Sequence, residues 1–190
     1  MPSTRYTWFD RWVAGLRYGE ARRHITPGSR VCDVGCGTDP LFLKSLGSFV
    51  RMRVGLDYQK VNAKDAGIQC IRADITGALP FADGAFDHVT MLAVIEHLAA
   101  PEAIFHEIHR VLAPGGSVVM TWPSAIVDPL LGALFKAGLV SPEMESQKHE
   151  RRRHHLYWMG VLRETGFADI THRTFELGLN HLLAAARPRD

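Results

Sequence analysis

Apolar positions along the chain fall into short blocks that alternate between a helical and a strand-like period. Phe9, Trp12, Val13 and Leu16 recur at helical spacing and predict an amphipathic N-terminal helix that packs one face. The breaker cluster Thr26-Pro27-Gly28 ends it. Arg30–Val34 then reads as a strand opening onto Gly35-Cys36-Gly37-Thr38, followed by a helix over about 40–46 and a strand over 53–57. Helix-compatible residues run to Ala66, with further strands over 69–74 and 86–92. The clearest helix begins at Pro101, where Glu102 complements the dipole and Ile104, Phe105, Ile108, Val111 and Leu112 form one stripe. Pro114-Gly115-Gly116 stops it before a fifth strand over 117–122. Strands alternating with helices at such short intervals predict βαβ units, and hence an α/β fold with a parallel, doubly wound sheet. The tail breaks this rhythm: a helix near 156–164 ends at Gly166, and strands over 168–175 and 180–186 flank Gly178 as an antiparallel closing pair. No repeat interrupts the pattern, so residues 28–190 read as one domain behind an aromatic, helical extension at 1–27.

Composition narrows the class. A chain of 190 residues, 46% hydrophobic and 22% charged, suits one globular domain. A net charge of +2 gives no global argument for a nucleic-acid partner. The charge is local, because KHERRRHH at 148–155 carries +3 and the remainder sums to −1. That run reads either as a solvated face or as a clamp for a phosphate or carboxylate on a substrate. Cys32, Cys36 and Cys70 show no paired spacing for a disulfide framework or a metal knuckle, which points to a reduced, cytoplasmic protein without a metal. No apolar run approaches the ~18 residues of a membrane span, and the first residues lack the core of a signal peptide. The apolar stripe at 125–140 is either ordinary core or a hydrophobic lid over an apolar ligand.

Ligands of open α/β sheets sit beyond the carboxyl ends of the strands, here marked by Asp33-Val34-Gly35-Cys36-Gly37, Asp57, Asp74 and Met91-Leu92. Gly35 and Gly37 let backbone N–H groups approach a ligand, unless they form a simple strand-to-helix turn. Pro40 stands where a dinucleotide fingerprint needs glycine or alanine, so a phosphate-binding turn fits poorly. Asp57 is placed to accept both hydroxyls of a ribose, and Asp74 to accept from an adenine amino group or to close its own turn. Asp33 would repel a pyrophosphate and attract an ammonium. Cys36 reads as a small residue filling a tight loop. His97, after the fourth strand, is either a general base or a packed histidine, while Glu96 reads as structural. His106 and His109 with Glu107 form a metal half-site that lacks a third ligand.

The segments VCDVGCGT (31–38), GLDYQ (55–59), RADI (72–75), FDHVTMLAVIEHL (86–98) and EIHRVLAPGGSVVMTWP (107–123) resemble, in order and at family spacing, the motifs of class I S-adenosylmethionine-dependent methyltransferases. With HHLYWMGVLRETGF and FELGLNHLLAAARP the resemblance covers about four-fifths of the chain, and the quinone-biosynthesis-like branch is the nearest. It implies a Rossmann-like seven-stranded sheet, mostly parallel with an antiparallel C-terminal strand, helices on both faces and a cap insertion at about 124–155. It also implies S-adenosyl-L-methionine as cofactor and methyl transfer to a small-molecule or lipid-like acceptor. Asp33, Gly35 and Gly37 would line the methionine end, and Asp57 would hold the ribose. Tyr58 would pack on the adenine, Asp74 and Ile75 would bracket its amino edge, and the backbone of Met91 and Leu92 would face the methionine moiety. The chain departs from the pattern at Asp39-Pro40, where many relatives place a third glycine. A non-catalytic cofactor-binding protein, an RNA methyltransferase using the basic run, and a nicotinamide oxidoreductase are the alternatives; Asp33 and Pro40 argue against the last.

Overall fold

The computed structural model describes residues 8–59, 61, 67–98, 101–124 and 153–189. The expected helix up to Ala66, the apolar stripe at 125–140, nearly all of the 124–155 insertion and most of the basic run lie outside them.

Seven strands form one sheet in the order β3-β2-β1-β4-β5-β7-β6. The strands are β1 (Arg30–Val34), β2 (Met52–Asp57), β3 (Ile68–Arg72), β4 (Phe86–Leu92), β5 (Leu112–Pro123), β6 (Ala168–Phe175) and β7 (Asn180–Ala186). Strands β1 to β5 pair in parallel, whereas β7 runs antiparallel to both β5 and β6. The sheet is therefore the expected one, with β7 as its reversed strand. Four helices accompany it among the described residues: α1 (Trp8–Arg22), α2 (Leu41–Leu46), α3 (Glu102–Val111) and α4 (His155–Glu164).

Alternating strand residues feed two cores, one on each face. Val118, Met120 and Leu183 pack with Ile104, Phe105 and Ile108 of α3 and Trp158, Val161 and Leu162 of α4. Val31, Val119 and Leu182 pack on the opposite face with Phe42, Leu43 and Leu46 of α2 and with Ala21 and Ile25 at the end of the extension. Burying side chains of this size contributes roughly 1.5–3 kcal/mol each, so the two layers hold the sheet rigidly beneath its loops.

Two expectations need correction. The stripe Phe9, Trp12, Val13 and Leu16 does not pack as a whole, because Trp12 and Leu16 are exposed; Tyr18, Ala21 and Ile25 attach α1 instead. The fifth strand starts five residues earlier than the glycine pair suggests, since Leu112 already pairs with Phe86. The register is interrupted between that pair and His88–Ser117, so residues 113–116 bulge out. Gly116 must lack a side chain there, because a Cβ would stand 2.8 Å from the carbonyl oxygens of Ala113 and Asp87.

The amino end of the sheet is locked through a buried histidine. The Thr26 backbone N–H donates to His88 Nε2 (3.1 Å), which leaves the proton on Nδ1 to donate to Ser117 Oγ (2.8 Å). Burial, the largest cause, holds the His88 pKa below its ordinary value. A depressed histidine stabilises the fold above its unfolded-state pKa and loses that contribution as pH falls through the folded value. Urea unfolding should therefore show stability falling below about pH 6.5. His88→Ala should cost about 1–3 kcal/mol at pH 8 and remove part of that slope.

Candidate functional site

The strand order reverses at β1, which sits between β2 and β4, and the backbone there opens a crevice. Pairing of β1 with β4 stops at Asp33–Thr90, although β4 runs on to Leu92. Beyond Val34 the chain swings toward β2, where Gly35 N–H (2.7 Å) and Cys36 N–H (3.1 Å) both donate to Leu56 O. The backbone edge that Met91 and Leu92 present on the β1 side is thus left beyond the reach of β1's pairing, at the topological switch point where ligands of this architecture sit.

Asp33 lies at the floor of this crevice and is 4% exposed. Thr90 Oγ1 donates to Asp33 Oδ1 at 2.6 Å. Burial pushes the Asp33 carboxyl up to about 7, against the lowering effect of the Thr90 hydrogen bond and with added repulsion from Asp57. Asp57, at the tip of β2, ties two loops together: Oδ2 accepts from Gly37 N–H and Oδ1 from Gln59 N–H, each at 2.9 Å. Each carboxylate oxygen retains a further lone pair for a ligand hydroxyl. Two carboxylates in mutual repulsion and largely withdrawn from water form a site suited to a cation.

The two glycines are required for different reasons. Both have positive φ, +77° at Gly35 and +73° at Gly37. A Cβ on Gly35 would stand 2.4 Å from Val94 Cγ2, whereas one on Gly37 would meet nothing within 4 Å. Gly35 is therefore set by packing, and Gly37 leaves an open cradle beside Asp57. Gly35→Ala should cost about 1–3 kcal/mol for overpacking on top of about 1–2 kcal/mol of backbone strain; Gly37→Ala should show the strain alone. Thermal melting of the two variants checks this difference. The Cys36 thiol fills the turn under Gly55, and burial pushes its pKa far up, so it is held as an unreactive thiol.

Tyr58 is exposed, and its hydroxyl accepts from Gln59 Nε2 (2.6 Å) while its carbonyl accepts from Arg72 Nε (3.0 Å). Asp74 is exposed too. Its Oδ1 accepts from the N–H (2.8 Å) and Oγ1 (2.7 Å) of Thr76, and these bonds hold its carboxyl below the usual range. That turn-closing role is the one the residue type suggests by itself. Ile75 is buried with Leu79 in the core beside α3. Beyond β4 the chain leaves the sheet through Ala93, a non-glycine residue at φ 58°, whose N–H donates to Thr121 O (3.0 Å). A short 3₁₀ turn, Ile95–His97, follows, with Glu96 buried and His97 exposed. Partial desolvation holds the His97 imidazolium below its ordinary pKa, so the ring is neutral near pH 7.

Residues 32–120 match the family model described as a methyltransferase domain. A candidate methyltransferase of Encephalitozoon cuniculi is 32% identical over 181 residues, covering 85% of this chain and 83% of that protein. The chain belongs to the class I S-adenosylmethionine-dependent methyltransferases. A demethylmenaquinone methyltransferase of Staphylococcus epidermidis is 28% identical, over 90% of this chain and 81% of its own. Among solved structures, an S-adenosylmethionine-dependent methyltransferase of Mesorhizobium loti shares the fold with a TM-score of 0.68 at 20% identity, covering 89% of this chain and 96% of that one.

The methyltransferase crevice brings Asp33, Gly35, Gly37 and Asp57 together, with the ends of β1 and β4 as its walls. Asp74 and Ile75 stand on the neighbouring loop, one closing a turn and the other in the core. Thr90 and Ala93 escaped the sequence reading. Thr90 sits in an ordinary strand pattern, and a left-handed alanine leaves no trace in composition.

A histidine cluster also escaped it. The Trp122 ring, at the end of β5, stacks on His181 with centroids 5.1 Å apart, and His155 stacks on His172 at 4.0 Å. His154 packs on His155 at 4.0 Å, and His172 Nε2 and His181 Nδ1 share a hydrogen bond of 3.0 Å. Burial, reinforced by the neighbouring histidines, pushes His172 down to about 4. The cluster joins the end of β5 to the start of α4, the two roots of the 124–155 insertion. The available signal was the antiparallel hairpin around Gly178, which sets His172 and His181 on neighbouring strands.

Proposed function

We propose that this methyltransferase acts on a small, lipid-like acceptor, with the cofactor held across the carboxyl ends of β1, β2 and β4. The observation that carries the cofactor placement is the pair of buried carboxylates Asp33 and Asp57 flanking the open Gly37 cradle. The fit is chemical: an ammonium suits the repelled Asp33 carboxyl, and a diol suits the two oxygens that Asp57 directs between its N–H donors. When bound, S-adenosyl-L-methionine supplies a methyl group already activated by its sulfonium.

The chain's own work is then orientation and exclusion of water. Asp33 and Thr90 hold the amino-acid head, Gly35 and Gly37 admit it to the backbone, and Asp57 fixes the ribose. Tyr58 covers the adenine, Asp74 and Ile75 border its edge, and the backbone of Met91 and Leu92 faces the methionine portion. Aligning the acceptor in line with the methyl can supply much of the roughly 7–11 kcal/mol available from proximity. His97, neutral near pH 7 and placed just after β4, is the group assigned to take the acceptor's proton where one is lost. The extension at 1–27 and the insertion at 124–155 are assigned to enclose the site, in the reduced interior of the cell.

The lipid-like acceptor is supported by the alignment of nearly the whole chain with a demethylmenaquinone methyltransferase. The test is to supply purified protein with methyl-labelled cofactor and either a total lipid extract or a pool of water-soluble metabolites. The expected result is release of S-adenosylhomocysteine and label in the organic phase. Label confined to water-soluble products overturns the acceptor class, and no release with either pool overturns the catalytic reading.

A further inference from the structure

Four of the chain's ten histidines meet at one point on the face of the sheet that carries α3 and α4. Trp122 of β5 and His181 of β7 are register partners, and His172 of β6 faces the same way as Leu183, its own partner in the core on that side. The rings of His172 and His181 lie 5.2 Å apart, and His155, the first residue of α4, lies flat on His172 with 1° between the planes. His154 packs on His155 and caps the helix, its Nδ1 accepting from the Leu156 N–H (3.4 Å). One stack thus fastens the first turn of α4 to β6 and β7 and, through Trp122, to the end of β5.

Each of these contacts requires neutral rings. Charging two imidazoles whose centroids are 4.0 Å apart sets like charges in contact. In the bond between His172 Nε2 and His181 Nδ1 one nitrogen donates and the other accepts, so it fails once both rings are cations with nothing left to accept. The His154 cap fails for the same reason, and there the cation would also stand at the positive end of the helix dipole.

Among the described residues no carboxylate offsets this. Burial first, and then the neighbouring histidines, hold His155, His172 and His181 below their ordinary value. Of the charged groups on the packed elements, Arg153 covers the Tyr157 ring and pairs with Glu102 of α3, while Arg173 turns to Glu20 of α1 on the opposite face. Asp169 lies at the start of β6 and Glu164 ends α4, both toward the amino end of the sheet and away from the stack. His181 is the one titratable residue of β5 and β7.

We propose that the four histidines are an acid-released latch, whose protonation unseats the first turn of α4 from the β6–β7 hairpin while the sheet stays folded. Trp158, Val161 and Leu162 anchor the rest of α4 in the core, whereas Leu156 is exposed, so the first turn can part without uncovering the core. A histidine held below its ordinary value contributes stability that is fully present above the unfolded-state value of 6.5 and is lost as pH falls through the folded value. The latch is therefore closed above about pH 6.5 and opens toward about pH 4. It joins the point where the chain leaves β5 to the point where it enters α4, so proton concentration decides whether the two are held together. This holds whatever the acceptor.

The test is amide hydrogen exchange of the full-length protein at pH 7.5 and pH 5, read by mass spectrometry and corrected for intrinsic exchange rates. Protection of the first turn of α4 should fall at least about thirtyfold, the effect of one proton over the roughly 1.5 units below 6.5. Protection of α3 should change less than about threefold, which separates local release from global unfolding. His155→Phe keeps a ring in the stack without a proton site, and His155→Phe/His172→Phe removes two such sites. The single variant should lose most of the fall and the double variant all of it, with His155→Phe matching wild type at pH 7.5. If the double variant fails to fold, His155→Phe alone carries the comparison. Equal protection of α4 at the two pH values, an equal fall in α3 and α4, or a wild-type fall in the His155→Phe protein overturns the proposal.

Discussion

Asp57→Ala is expected to weaken S-adenosylhomocysteine binding by about 100-fold or more. Two hydrogen bonds from ribose hydroxyls to a carboxylate are lost, each contributing about 1.5–3 kcal/mol, and about 1.4 kcal/mol corresponds to a factor of ten. The same carboxylate also receives the N–H groups of Gly37 and Gln59, so its removal slackens both loops that shape the crevice. Asp57→Asn separates the effects, since an amide oxygen still accepts one N–H while the charge is gone. Its affinity should fall between wild type and Asp57→Ala. Calorimetric titration at pH 8, with a melting curve on each variant, measures the loss against an intact fold.

Asp33→Asn should produce two opposite effects of comparable size. In the free protein the carboxyl titrates near 7 because it is buried, whereas in the unfolded chain it titrates near 3.8. Between those values the unfolded chain is ionised and the folded one is not, so this raised acid makes the fold less stable as pH climbs from 3.8 toward 7. Replacing it with a neutral amide, which still accepts from Thr90, removes that cost and should stabilise the free protein by as much as about 4 kcal/mol above pH 7. Cofactor binding should move the other way. An ammonium selects the ionised carboxylate, so wild-type affinity should be constant above about pH 7 and fall about tenfold per unit below it. The Asn variant should bind weakly at every pH, with no such slope. Equal melting temperatures for the two proteins at pH 8, or parallel pH profiles of affinity, would remove Asp33 from its assigned role.

What was legible beforehand follows from how locally each feature is encoded. The strands β1, β2 and β4 announce themselves as apolar runs of five to seven residues between breakers, and their carboxyl ends therefore locate Asp33, Asp57 and Met91-Leu92 directly. The order of the sheet is not encoded in any one segment, but right-handed crossovers leave few arrangements for alternating strands and helices. Details set by tertiary contact were hidden. Thr90 becomes a partner of Asp33 only when β4 lies beside β1, and Gly35 is excluded from carrying a side chain only by Val94, which approaches from 59 residues further on. The apolar stripe of α1 has the period of a helix, but it does not form a buried face. Spacing records which residues share a side of the helix, not whether anything covers it. The early start of β5 was hidden for a related reason, because Pro114-Gly115-Gly116 ends a helix as readily as it forms a bulge.

The most direct test of the central claim, a cofactor seat built by Asp33, Gly37 and Asp57 at the switch point of the sheet, is a crystal structure with S-adenosylhomocysteine bound. The account predicts both ribose hydroxyls within about 3 Å of the Asp57 carboxylate and the amino-acid head beside Asp33 and Gly37, between the ends of β1 and β4. A ligand seated elsewhere, or one whose ribose leaves Asp57 to its two backbone partners alone, would contradict it.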